Sequence, residues 1–254
     1  MVWGMLEPSS FGKFWPDGVT EDVNDTGRDG WYDRLKAHYV EQTPQERRRL
    51  FDFTSANGND ALHYSTFPSR KFRTELGTVP CGEVHSVHPP STPIEPHEPP
   101  RSYSTRPHKA LGSLIALCGA PMAVDEDLKT IIERLEPGVH EFFPIKFFVG
   151  PNEQPYHKAF FTMRIGQYFS SFLPDESAEG SYIGPSPVDP TYYGFDPKRK
   201  SVEGLAFSKI TFGRAHLWRE RNFPTGLTLL SDELISEIDN EGLLIPKHHR
   251  MREV

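Results

Sequence analysis

Ile210 to Gly242 reads ITFGRAHLWRERNFPTGLTLLSDELISEIDNEG, and this stretch holds more local organisation than any other in the chain. Leu227 to Leu230 is a short apolar run suited to a buried strand. Ser231 stands where a helix N-cap belongs, because its side-chain oxygen can accept one of the backbone N–H groups left over in a first turn. Asp232 and Glu233 put negative charge in that turn, which the helix dipole favours, and Gly242 supplies the stop. Upstream, Leu205 to Phe212 (LAFSKITF) alternates and predicts another strand. If that strand continued, Arg214, His216 and Trp218 would share one face and could line a polar pocket for an anion or carboxylate. The plainer alternative places Trp218 in the core, His216 on buried carbonyls and the arginines on acids of the following helix.

The same pattern occurs once more. Leu111 to Cys118 is apolar, Gly119 to Pro121 predicts a turn, and Val124, Leu128, Ile131, Ile132 and Leu135 form a helical stripe. Asp125, Glu126 and Asp127 load its first turn, Pro137 and Gly138 stop it, and HEFFPIKFFVG follows as a strand with Pro144 at an edge or bulge. Lys158 to Ile165 reads as a further strand. Two strand-cap-helix-stop units on one sheet, with loops set by 24 Pro and 20 Gly, predict an α+β fold: a mixed or antiparallel sheet with a few short helices, rich in loops.

Elsewhere the sequence is less regular. Residues 1–28 show neither helical nor strand period, whereas Trp31, Leu35 and Tyr39 define a helix face with Asp29 as N-cap. Thr43, Pro44 and Glu46 signal a second helix start, with Arg47, Arg48 and Arg49 on its solvated side. Eight prolines between Pro80 and Pro107 predict a linker or surface-wrapping segment. The expected organisation is therefore 1–78 as a loop-rich part with short helices, 79–108 as the Pro-rich segment, and 109–254 as the α+β domain. Residues 167–202 form a long loop region in which Tyr182, Tyr192 and Tyr193 are candidates for partner contact, since aromatic rings bury much area at small entropic cost. Lys247 to Arg252 reads as a solvated basic tail.

Charge and cysteine usage narrow the function classes. The net charge is −7, with 15 acids against 12 bases in 1–108 and 20 against 16 in 109–254, so no basic domain exists to track phosphates and nucleic acid is not an expected partner. Cys81 and Cys118 form no CxxC pair, and Cys81, His85, His88 and His97 match no standard zinc spacing, so no metal and no other cofactor is expected. The N-terminal residues lack a signal-peptide pattern and no long apolar run occurs, which predicts a cytoplasmic protein without a membrane partner. Ser231, Asp232 and His216 supply the residue types of a catalytic triad, but a capping hydroxyl is already engaged, and no GxSxG, P-loop or HExxH is present. An enzyme is not expected.

Three stretches carry a resemblance: LEPGVHEFFPI from Leu135, GRAHLWR from Gly213, and LSDEL from Leu230 followed by Gly242. In order and spacing, over roughly 111–246, they resemble the bacterial immunity protein family numbered eleven in polymorphic toxin systems, earlier a domain of unknown function. The resemblance implies a cytoplasmic inhibitor that binds a cognate protein toxin, such as a secreted effector, by surface contact. Two alternatives are an adaptor or chaperone for a secreted effector, and a small hydrolase using a His216/Arg214 pocket.

Overall fold

Asp125 and Ser231 open the two best-formed helices in the same way, and both helices meet at the centre of the molecule. The structure is a computed structural model; it describes residues 1–20, 30–38, 72, 93–108, 110–118, 120–150, 154–187, 189–195, 200–223 and 227–254. In chain order the elements are β1 (Val2–Met5), β2 (Gly18–Thr20), α1 (Trp31–Lys36), β3 (Ser102–Thr105), β4 (Leu114–Leu117), β5 (Ala120–Asp125), α2 (Glu126–Leu135), β6 (Glu141–Val149), β7 (Gln154–Pro155), β8 (Phe160–Arg164), β9 (Tyr168–Phe169), β10 (Ala206–Phe207), α3 (Lys209–Phe212), β11 (Leu217–Glu220), β12 (Thr228–Ser231), α4 (Asp232–Asn240) and β13 (His248–Glu253). The fold is α+β, with strands dominating. The helix starts expected at Asp29 and Thr43, the triple arginine, and Cys81, His85 and His88 lie outside the described residues.

The strands form two mixed sheets, ordered β2-β3-β6-β8-β5-β4, with β7 on β6, and β10-β13-β1-β12-β11-β9. Five strands of each follow one plan. In the first sheet β3 runs parallel to β6, β6 and β5 both run antiparallel to β8, and β4 is antiparallel to β5. In the second, β10 is parallel to β13, β13 and β12 both run antiparallel to β1, and β11 is antiparallel to β12. Each helix therefore joins two parallel strands across one antiparallel strand, β5-α2-β6 around β8 and β12-α4-β13 around β1. The capping geometry repeats too: Asp125 accepts from Leu128 N–H and Ser231 from Leu234 N–H, both at 3.1 Å. The two units lie on two sheets and not, as the sequence suggested, on one.

This arrangement corrects the expected division of the chain. β1, read as irregular, sits between β12 and β13 because Val2 and Met5 are apolar and buried while their backbone completes a ladder on both sides. Residues 109–254 thus lack a central strand of their own second sheet, and the boundary at 109 does not separate two units. β3 lies within the expected Pro-rich segment, in the proline-free stretch Ser102–Thr105, and pairs with both β2 and β6. The basic C-terminal residues are also a strand, in which His249 and Met251 face inward and Arg250 and Arg252 outward. Pro144 sits where expected: β3 reaches only Lys146 to Val149 of β6, so its missing N–H interrupts no ladder there.

Leu205–Phe212 is the other departure. Only Ala206 and Phe207 form a strand; from Lys209 the chain turns helical and is stopped by Gly213 at φ 58°. The turn brings Phe212 onto Trp218, with stacked rings 4.6 Å apart, and leaves Ile210 95% exposed, a placement that a simple alternation cannot express.

The central core takes Leu128, Ile131 and Ile132 from α2 and Leu234, Ile235 and Ile238 from α4. It also takes Val124 and Met163 from the first sheet and Met5, Leu217 and Leu230 from the second. Alternation sends the neighbouring side chains to opposite faces. Ala123 joins Trp31, Tyr103 and Phe160 beyond the first sheet, and Trp218 and Leu229 join Phe172, Phe207 and Phe223 beyond the second.

Candidate functional site

The stretches from Leu135 and Gly213 meet at one buried carboxylate, and the stretch from Leu230 joins them through His216. Glu136 is the residue at which α2 ends, its own N–H bonded to Ile132 O. Its Oε1 accepts from His216 N–H at 2.8 Å and from Gln167 Nε2 at 2.5 Å, and its Oε2 accepts from Leu217 N–H at 3.0 Å. His140 Nε2 lies 2.7 Å from Oε2. Because His140 Nδ1 accepts from Gly166 N–H at 3.2 Å, the proton facing Glu136 is on Nε2. Gln167 Nε2 also donates to Leu217 O at 3.0 Å. One side chain thus ties the end of α2 to the start of β11 and to the link between β8 and β9, joining the two sheets.

Burial alone would raise the Glu136 pKa, but the donors from His140, His216 and Gln167 outweigh it and hold the carboxyl below its ordinary value. Gly166 is required by space, since a Cβ there would collide with the Val139 carbonyl. Glu136, His140 and Gln167 were not singled out in the sequence. The available signal was a carboxylate and an imidazole four residues apart across a Pro-Gly helix stop.

The Gly213 stretch meets the Leu230 stretch through His216. Its Nδ1 is 2.8 Å from Ser231 Oγ, which also caps α4 by accepting from Leu234 N–H. The backbone repeats the link, Ser231 N–H donating to His216 O at 2.8 Å. A relay would need an acid on the other ring nitrogen of His216. Glu233 instead lies 3.9 Å from the same Nδ1, and Asp232 accepts from Trp3 Nε1 at 2.9 Å.

Arg214, His216 and Trp218 are not assembled as a pocket. Arg214 is exposed in the turn after α3, His216 is half-buried against Ser231, and Trp218 is fully enclosed on Phe212 and Phe169. The strand that would have aligned them begins only at Leu217.

The tyrosine loop is likewise tied inward. Tyr182 and Tyr193 contact each other and Phe172 edge-on, with centroids 5.0 to 5.5 Å apart, so these two rings anchor the loop to the core instead of facing outward. Ile183 and Gly194 pair through two 2.7 Å backbone bonds, and Asn222 holds Thr191 O through Nδ2 and Tyr193 N–H through its carbonyl. Tyr192 is half-buried, and Ile183 is 65% exposed.

A second buried carboxylate, Glu220, closes the other end of β11. Ser171 N–H donates to it at 3.0 Å, Ser171 Oγ at 2.5 Å and Asn222 N–H at 3.3 Å. Among the described residues no cation pairs with it, and desolvation, only partly offset by these bonds, pushes its pKa from 4.5 up to about 7.

Compared with protein-family models and with curated proteins, the chain matches none. Among the described residues no helix is long and apolar enough to cross a membrane.

Proposed function

We propose that this protein is an immunity protein that binds a cognate bacterial toxin in the cytoplasm and neutralises it by protein–protein contact. The observation that carries the reading is the chain of contacts from Glu136 through His216 to Ser231. The three stretches that resemble the immunity family are joined by hydrogen bonds, and they account for how the framework is held. Glu136 is engaged by four donors, Ser231 by its helix cap, and Trp218 by the core. Inhibition by contact asks only for a complementary surface on such a framework, and an acidic chain of net charge −7 suits a basic partner. On the tyrosine loop, exposed Ile183 and half-buried Tyr192 are available for that contact.

The test is co-expression with toxin candidates encoded beside the gene, scored for cell survival and for a stable complex on size exclusion. Survival with complex formation supports the reading, and failure of both overturns it. A complex in which the toxin stays active would instead identify an adaptor. Loss of protection in a folded His216→Ala variant that still binds would point to chemistry at His216.

A further inference from the structure

Residues 95–98 form a turn that is docked on α1 by buried polar contacts. Trp31, fully buried, donates from Nε1 to Glu98 O at 3.0 Å, and Arg34 donates from Nη2 to Pro99 O at 3.0 Å and from Nε to His97 O at 3.4 Å. The Glu98 carboxylate, 1% exposed, accepts from Glu95 N–H at 2.7 Å, while Glu98 N–H donates to Glu95 O at 2.9 Å. Helical backbone continues from α1 through His38. The docking sets His38 against His97, ring centroids 3.3 Å apart and planes 21° off parallel, with Glu95 Oε2 3.7 Å from His97 Nδ1. One donor atom each from His38, Glu95 and His97 lies within 4.8 Å of the others.

We propose that His38, Glu95 and His97 bind one divalent transition-metal ion, with zinc the best chemical match. Two imidazoles and one carboxylate are the ligand types of three-residue zinc sites, and imidazole disfavours magnesium and calcium, which take oxygen ligands. A tetrahedral ion with bonds of about 2.0–2.1 Å needs donors roughly 3.3 Å apart, so each donor closes in by about an ångström and the stacked imidazoles turn until their in-plane lone pairs converge. Glu95 is 58% exposed and free to swing, whereas the backbone beneath His97 is held by Arg34 and Trp31. The ion would staple α1 to the segment leading into β3. No local spacing motif expresses the set, because His38 lies 59 residues before His97.

The experiment is isothermal titration of the full metal-stripped chain with Zn2+, repeated with Mg2+ and Ca2+. It is accompanied by Co2+ spectroscopy, which reports tetrahedral coordination by its visible ligand-field bands. Expected are one Zn2+ per chain, no comparable Mg2+ or Ca2+ binding, and affinity at least ~10-fold lower in Glu95→Ala and in His97→Gln. His248→Ala, at a histidine on the second sheet, should bind like the parent chain. Since Glu95 is largely exposed, Glu95→Ala keeps the test independent of folding. Absence of stoichiometric binding, or binding that survives both ligand substitutions in folded protein, overturns the proposal.

Discussion

Glu220→Gln should make the protein more stable at pH 8 while leaving it nearly unchanged relative to the parent at pH 5. In the folded chain the carboxyl titrates at about 7, against 4.5 for the free group. At about 1.36 kcal/mol per pH unit, that shift corresponds to about 3 kcal/mol. The sign follows from proton counting. Between pH 4.5 and 7 the folded state holds the proton and the unfolded state does not, so stability falls as pH rises through this window and the penalty is complete above it. Glutamine reproduces the protonated form: its oxygen can accept from Ser171 and Asn222 N–H while its amide donates to Ser171 Oγ. Any fixed cost of the second amide proton is the same at every pH. Urea unfolding of both proteins from pH 5 to 8 isolates the effect, because other titrating groups cancel in the difference. The expected difference grows toward the variant by about 2.5 kcal/mol across the range, since a little of the penalty is already present at pH 5. A difference independent of pH would show that Glu220 is not a buried acid of raised pKa.

Two further outcomes follow from the architecture. Glu136→Ala leaves the His216 and Leu217 N–H groups and the Gln167 amide without their acceptor, and should lose about 3–5 kcal/mol in denaturant unfolding at neutral pH. Because the folded carboxyl titrates below its ordinary 4.5, the charge-linked part of its stabilisation is complete above that value and is lost as pH falls through the folded pKa, so the gap between parent and variant should narrow in acid. A circular permutant that joins Val254 to Met1 by a short glycine linker and opens between Gly150 and Pro151 should fold with circular dichroism like the parent. The ends already meet, since Met1 N is 2.8 Å from Glu253 Oε2 and Val2 pairs with the Met251 position, and that ion pair is partly exposed and contributes only about 0–1 kcal/mol. A permutant that collapses into aggregates would show that β1 is not equivalent to β8.

Much of the local structure could be read from the residues. The stripe from Leu128 to Ile132, the serine cap at Ser231, the strand at Leu227–Leu230 and the phenylalanine-rich strand around Pro144 all stand where pattern and capping chemistry put them. These are decided within a few residues, by the period of apolar side chains and by the need to satisfy the first N–H groups of a helix. Leu205–Phe212 misled because alternation over eight residues does not reveal that Phe212 is claimed by Trp218 through a turn at Gly213.

What the chain alone determined, then, is the two capped helices, the strands that feed them and the α+β class. Tertiary structure decided how these pieces are shared. It drew β1 from the far end of the chain into the middle of the second sheet, and it set the α2 and α4 units on separate sheets against one core. It also converted Glu136, 80 residues before His216, into the acceptor that joins the sheets. A buried carboxylate has no sequence period. It is chosen by whichever N–H groups the fold brings to it and leaves in need of an acceptor, and those groups come together only when both sheets have formed.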